Sequence, residues 1–120
     1  MRIEQRTVGG VVVLSIRGDI TMGEPGAIRL ADRVRAALQE GHDRLLLDLA
    51  YVRYVDSAGL GSLVQAYAAA QNRGGVIKLV NASRQLHDLL VVTRVLTLFF
   101  DCFDEEAEAL ASFEHSTTRH

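Results

Sequence analysis

The sequence predicts an α/β domain built on a mixed β-sheet that opens with an antiparallel hairpin and carries about four α-helices. Three observations carry that reading. A β-branched run follows Gly9-Gly10 and calls for a hairpin partner before it, short apolar runs then alternate with segments of helical spacing, and the chain has 120 residues of which 48% are apolar. Such a length and composition fit one ordinary domain around one core. A tight hairpin makes its strands antiparallel, whereas strand–helix–strand crossovers make parallel neighbours, so both kinds of pairing belong in one sheet.

The opening strand is predicted over residues 3–8 and its partner over residues 11–16, where Val11, Val12, Val13 and Ile16 supply β-branched side chains. Gly9-Gly10 between them suits a two-residue turn at positive φ. From Pro25 the period changes: Ala27, Leu30, Ala31, Val34, Ala37 and Leu38 form one helical stripe, which Pro25 can start and Gly41 can stop. Residues 45–49 are apolar on both alternating faces apart from Asp48, as expected of a central strand covered on each side by helices.

After a loop over residues 50–55, Leu60, Leu63, Val64, Tyr67 and Ala68 make a second helical stripe, with Ser62 off it and Gly74-Gly75 at its end. Residues 76–80 form the next strand. Ser83 is suited to cap a third helix carrying Leu86, Leu89 and Leu90, and a short strand falls within residues 98–103. Asp104 reads as the cap of a last helix, with Glu105 and Glu106 in its first turn facing the positive end of the helix dipole. That helix is expected to run to about Phe113, leaving residues 114–120 as a polar, frayed tail. No internal repeat or linker interrupts the pattern.

Composition narrows the function. A formal charge of −2 with interspersed signs, no tryptophan, three tyrosines and four phenylalanines offer neither a basic face nor a base-stacking platform for nucleic acid. The longest apolar run, residues 91–100, is broken by Thr93, Arg94 and Thr97 and falls short of the roughly 20 residues of a membrane span. The first residues lack the apolar core of a secretory signal, and Cys102 is the only cysteine, so a cytoplasmic protein without an internal disulfide is expected.

The chemistry-bearing segment is Val55-Asp56-Ser57-Ala58-Gly59-Leu60-Gly61, placed between the strand that ends in Leu47-Asp48-Leu49 and the second helix. It resembles the signature of bacterial anti-sigma factor antagonists, the STAS domains. The resemblance continues through Gly18-Asp19-Ile20, Lys78-Leu79-Val80-Asn81 and the acidic helix over residues 104–113, so it covers nearly the whole ordered chain. It implies a STAS domain over residues 1–113 followed by the tail at 114–120. It also implies partner switching: the unmodified antagonist captures an anti-sigma factor, commonly itself a serine kinase, and so frees a sigma factor for transcription.

In this family the phosphoacceptor serine matches Ser57. Phosphorylation there releases the partner, and a protein serine phosphatase restores the hydroxyl. The partner-binding residues implied are Asp56, Ser57, Ala58, Gly59, Gly61 and Ser62, together with Thr21 in the loop after the second strand. Several family members carry an acidic residue where Thr21 stands, and here Asp19 lies two residues earlier. The same fold also serves scaffold subunits of stress-signalling assemblies and accessory subunits of membrane transporters, which are the alternatives.

The residues themselves allow such a switch. A serine at a helix start presents its hydroxyl beside free backbone N–H groups, and glycines leave room for an approaching surface. Phosphorylation adds about −1.5 to −2 charge at that spot. Without the surrounding motif, Ser57 would read as an ordinary N-cap, and Gly59 and Gly61 as sites of close helix packing.

Other chemistries lack their parts. Asp48 has neither the acidic pair nor the late lysine of a receiver-domain phosphorylation site, and it reads instead as a carboxylate bonded to nearby backbone or loop groups. The serine-hydrolase elbow needs glycine where Val55 stands. His42, His87, His115 and His120 form no metal-ligand spacing, and Cys102 reads as a small buried hydrophobe. Neither a catalytic residue nor a cofactor is expected, because no complete Walker or dinucleotide motif is present.

Overall fold

The structure, a computed structural model, describes residues 2–22 and 26–116. Strand β1 (Arg2–Val8) turns into β2 (Val11–Arg17), and helix α1 (Gly26–Gln39) leads to β3 (Arg44–Tyr51). Helix α2 (Ser57–Asn72), strand β4 (Val76–Val80), helices α3 (Arg84–Val92) and α4 (Val95–Phe99), strand β5 (Cys102–Phe103) and helix α5 (Glu106–Ser116) follow. The sheet runs in sequence order from β1 to β5, with β1 antiparallel to β2 and every later pair parallel. The turn between the first strands holds Gly9 at φ 55° and Gly10 at φ 82°, a pairing that side-chain-bearing residues rarely adopt.

Alternation along β2 and β3 divides the core. Val12, Leu14, Ile16, Leu45, Leu47 and Leu49 face one side and pack beneath α1 through α4, contributed chiefly by Leu30, Val34, Leu63, Ala66, Leu86 and Leu90. Val11, Val13 and Leu46 face the other side, where Ala109 and Phe113 of α5 cover them. Only part of that second face is covered. Along it β2 continues with Ser15 and Arg17, β3 with Asp48 and β1 with Glu4 and Arg6, and these line an open polar trough of about 280 Å³. Asp48 therefore lies beside solvent rather than under a helix; its Oδ1 accepts from the Ala50 N–H at 3.1 Å and the Asn81 amide at 3.2 Å.

Several boundaries differ from those read in the sequence. Residues 95–99 form a single helical turn, α4, so the strand foreseen within residues 98–103 is reduced to Cys102–Phe103. Helix α5 starts at Glu106, two residues after the cap assigned to Asp104, and runs to Ser116, so part of the foreseen tail is helical. Pro25 and residues 117–120 lie outside the described residues. Cys102 is half-buried, and desolvation pushes its thiol pKa up.

Among the described residues one charge is buried in the core. Lys78 is only 4% exposed on β4, where its Nζ donates to the Ser112 carbonyl at 3.2 Å and hydroxyl at 2.9 Å and lies 5.0 Å from the Phe113 ring centroid. Such partners are what an ammonium needs away from water.

Candidate functional site

The site lies where the loops leaving β2 and β3 run side by side at the carboxyl ends of the parallel strands, the end at which α/β sheets usually bind. The two loops are fastened along their length. Gly18 N–H donates to Tyr51 O at 3.2 Å, Ile20 N–H to Tyr54 O at 3.0 Å, and Asp56 N–H to Ile20 O at 3.4 Å. Asp19 adds a side-chain tie, its Oδ1 accepting from Tyr54 N–H at 3.1 Å. That tie gives Asp19 a structural task of its own beside Thr21, which is half-buried in the same loop.

Asp56 is the N-cap of α2, and Ser57 is the first helical residue rather than the cap. Asp56 Oδ1 accepts from Gly59 N–H at 2.8 Å, closing the cap, while Oδ2 accepts from Met22 N–H at 3.0 Å and holds the β2–α1 loop beside the helix start. Hydrogen bonds from the Met22 and Gly59 N–H groups hold the carboxyl pKa below its usual value. The group is thus a fixed anion at neutral pH.

Around that anion the surface is open. Ser57 and Gly61 are exposed and Ala58 is half-buried. Two large apolar side chains flank the segment, Met22 at 77% and Tyr54 at 59% exposure. Sequence reading passed over both, because apolar periodicity marks residues that face a core and carries no signal for isolated ones in loops. The clamp formed by Asp56 was also missed, although Asp is among the strongest N-cap formers.

Two of the residues assigned to partner contact are buried in the structure. Ser62 is 4% exposed and belongs to the buried face of α2 with Gly59, Leu63, Ala66 and Ala70. The stripe of helical spacing through Leu60, Val64 and Tyr67 proves half-buried, because α2 rests on its small residues and packs closely. Gly59 is also buried, and a Cβ there would stand 2.0 Å from Ile20 O and 2.7 Å from Val55 Cγ1. Its lack of a side chain serves contact between α2 and the β2–α1 loop. Gly61 differs: a Cβ there would meet nothing within 4 Å. Among the described residues no group of His, Cys, Asp and Glu is arranged to hold a metal ion.

The mixed sheet opened by a hairpin is the fold this chain shares with STAS domains. A family model described as Mlab, STAS domain, matches residues 3–99, and the chain belongs to that family. It is 23% identical over 115 residues to an anti-sigma F factor antagonist of Paenibacillus polymyxa, covering 95% of this chain and 96% of the relative. An anti-sigma factor antagonist from Mycobacterium paratuberculosis superposes with a TM-score of 0.79 at 22% identity, covering 92% of each chain. The Bacillus cell fate determinant SpoIIAA in its phosphorylated form superposes at 0.69 with 16% identity, covering 93% of this chain and 99% of that one.

Proposed function

We propose that this chain is an anti-sigma factor antagonist: unmodified, it captures an anti-sigma factor, and phosphorylation of Ser57 ends the capture. The observation that carries the proposal is the exposed Ser57 at the first residue of α2, beside a loop that Asp56 fastens in place. Relatives named as antagonists, and a fold neighbour known in a phosphorylated form, support it. The partner is an anti-sigma factor with serine kinase activity, and a protein serine phosphatase returns the hydroxyl. All three act in the cytoplasm.

The docking surface consists of Asp56, Ser57, Ala58, Gly61 and Thr21, with Met22 and Tyr54 as apolar anchors at its margin. Gly59 and Ser62 support it from beneath. A phosphate on Ser57 is tolerated within the free protein, because it sits at the positive end of the α2 dipole. In a complex the same dianion, next to ionised Asp56, would have to be desolvated against the partner, which is costly unless a matching cation is present. Release then requires no refolding of either protein. No helix among the described residues is long and apolar enough to cross a membrane.

The test compares tagged wild type, Ser57→Ala and Ser57→Asp. Proteins that copurify with the wild type are identified, and each variant is then incubated with the copurifying kinase and ATP while phosphate incorporation and complex formation are measured. Wild type is expected to gain one phosphate and dissociate, the alanine variant to bind without being released, and the aspartate variant to bind weakly. Phosphorylation of the alanine variant at the wild-type level would eliminate Ser57 as acceptor. Equal binding by both forms of the wild type would eliminate the switch.

A further inference from the structure

Strand β1 ends the sheet, and its outer edge has an order of charges that suits a second copy of itself. The turn at Gly9-Gly10 makes Val8 and Val11 the closing pair, and the register continues Arg6 with Val13, Glu4 with Ser15 and Arg2 with Arg17. In an antiparallel ladder hydrogen-bonded and non-hydrogen-bonded pairs alternate. The N–H and C=O groups of Arg2, Glu4, Arg6 and Val8 therefore point inward to β2, and those of Ile3, Gln5 and Thr7 point outward. None of these outward groups bonds to another described residue. Edges of this kind are templates for a further strand unless charge or shape forbids it.

Here the charges select the occupant. We propose that β1 pairs with β1 of a second copy, antiparallel, about a two-fold axis through Gln5. In that register Ile3 faces Thr7 of the second copy, Gln5 faces Gln5, and Thr7 faces Ile3, so every outward backbone group gains a partner. The pairs between them set Glu4 opposite Arg6 and Arg6 opposite Glu4, on the same face and at the shorter cross-strand spacing, where opposite charges stabilise. Moving the axis by one residue to Glu4 would set Arg2 against Arg6 and bring like charges together. Parity admits an axis at any outward residue, Ile3, Gln5 or Thr7, but only the axis at Gln5 pairs all three with one another and sets Glu4 opposite Arg6 twice.

The existing ion pairs extend rather than compete. Glu4 accepts from Arg17 Nε at 2.7 Å, and Arg6 is paired with Glu106 of α5. Across the axis these become an alternating row: Arg17, Glu4, then Arg6 and Glu106 of the second copy. The row lies on the face opposite α1 to α4, and the pairing would join the two five-stranded sheets edge to edge. The surface is isologous, as a closed dimer needs, and it goes beyond the switch proposed at Ser57.

The test uses the full chain in sedimentation velocity over a concentration series, with Gln5→Pro as the variant. Proline removes an outward N–H, and with it the Gln5 amide that accepts from Arg33 at 3.0 Å, while it leaves the backbone bonds from β1 to β2 in place, as an edge strand tolerates. Wild type is expected to move from monomer to twice the monomer mass as concentration rises, and Gln5→Pro to remain monomeric while keeping its circular dichroism and cooperative melting. Amide hydrogen exchange of the wild type supplies the independent reading: Ile3, Gln5 and Thr7 are to exchange at least tenfold more slowly in the concentrated sample, with Glu4 and Arg6 changing less. A wild type that stays monomeric, a dimer that survives Gln5→Pro, or unchanged exchange at those three amides overturns the proposal. Failure here leaves the Ser57 experiment unaffected, since that one reads phosphate and partner binding.

Discussion

Substituting alanine at the two glycines of the Asp56-Ser57-Ala58-Gly59-Leu60-Gly61 segment is expected to move stability in opposite directions. Both lie inside α2, so each replacement gains about 1 kcal/mol or slightly less of helix propensity. At Gly61 nothing opposes that gain, because a Cβ there meets no atom within 4 Å. At Gly59 the added methyl would stand 2.0 Å from Ile20 O and 3.0 Å from Ile20 C, and a backbone carbonyl cannot rotate away as a side-chain tip can. Overpacking costs about 1 to 3 kcal/mol, and a contact this short belongs at the upper end of that range. The net expectation is a loss of about 2 kcal/mol for Gly59→Ala and a gain of about 0.5 to 1 kcal/mol for Gly61→Ala. In urea, where a small domain loses about 1 to 3 kcal/mol per molar, the Gly59→Ala midpoint should fall by roughly 1 M and the Gly61→Ala midpoint should rise. Equal midpoints, or a more stable Gly59→Ala, would show that α2 does not rest on the Ile20 loop.

Three further outcomes follow from the packing. Leu63→Ala, at a fully buried position, should cost about 2 to 5 kcal/mol by chemical denaturation, and a loss under 1 kcal/mol would mean that the helix face is misplaced. Lys78→Met keeps most of the buried stem and should change stability by no more than about 1.5 kcal/mol, whereas Lys78→Ala opens a cavity and should cost about 2 to 4 kcal/mol; equal losses would show that the ammonium contacts, not the stem, dominate. For Asp56→Asn the sign follows from the depressed native pKa: the wild-type advantage is full above the ordinary carboxylate range and is lost as pH falls through that range to the native value. Denaturant midpoints of the two proteins should therefore converge on acidification, and a gap that widens instead would contradict the two N–H bonds assigned to the carboxylate.

The parts of the fold legible in sequence were those with strong periodicity or an obligatory backbone conformation. Gly9-Gly10 before a β-branched run located the hairpin, and residues 45–49 located the central strand, because both patterns have few other solutions. The end of the chain was read less well. Val95, Leu96, Leu98 and Phe99 suit a buried strand as readily as a helical turn, and short apolar runs do not distinguish the two. Near the site, the motif placed Ser57 at the start of the second helix, where the structure has it, whereas the spacing of large residues put the buried Ser62 off the packed face. Apart from Leu63, the buried face of α2 consists of glycine, serine and alanine, and a hydropathy stripe gives those small residues little weight. The bond from Met22 to Asp56 spans 34 residues, and no local pattern announces it.

That long-range bond constrains how a switch at Ser57 can work. Asp56 is held ionised by two N–H donors, so it cannot readily take up a proton to relieve a phosphate on the next residue. Phosphorylation would therefore add to a standing charge instead of replacing it. A partner that met Asp56 with a well-placed arginine would gain from the added phosphate and bind more tightly, since guanidinium pairs strongly with phosphate oxygens. For phosphorylation to cause release, the partner surface over Ser57 has to be apolar or acidic, and binding energy has to come from elsewhere. Met22 and Tyr54, exposed beside the serine on loops that the Asp56 and Asp19 carboxylates hold in place, are the residues able to supply it without carrying charge. Their truncation to alanine should weaken capture by the unmodified protein while leaving the phosphorylation of Ser57 by a free kinase domain near its wild-type rate. A Met22→Ala, Tyr54→Ala double variant that binds the copurified partner as tightly as wild type would refute that division of labour.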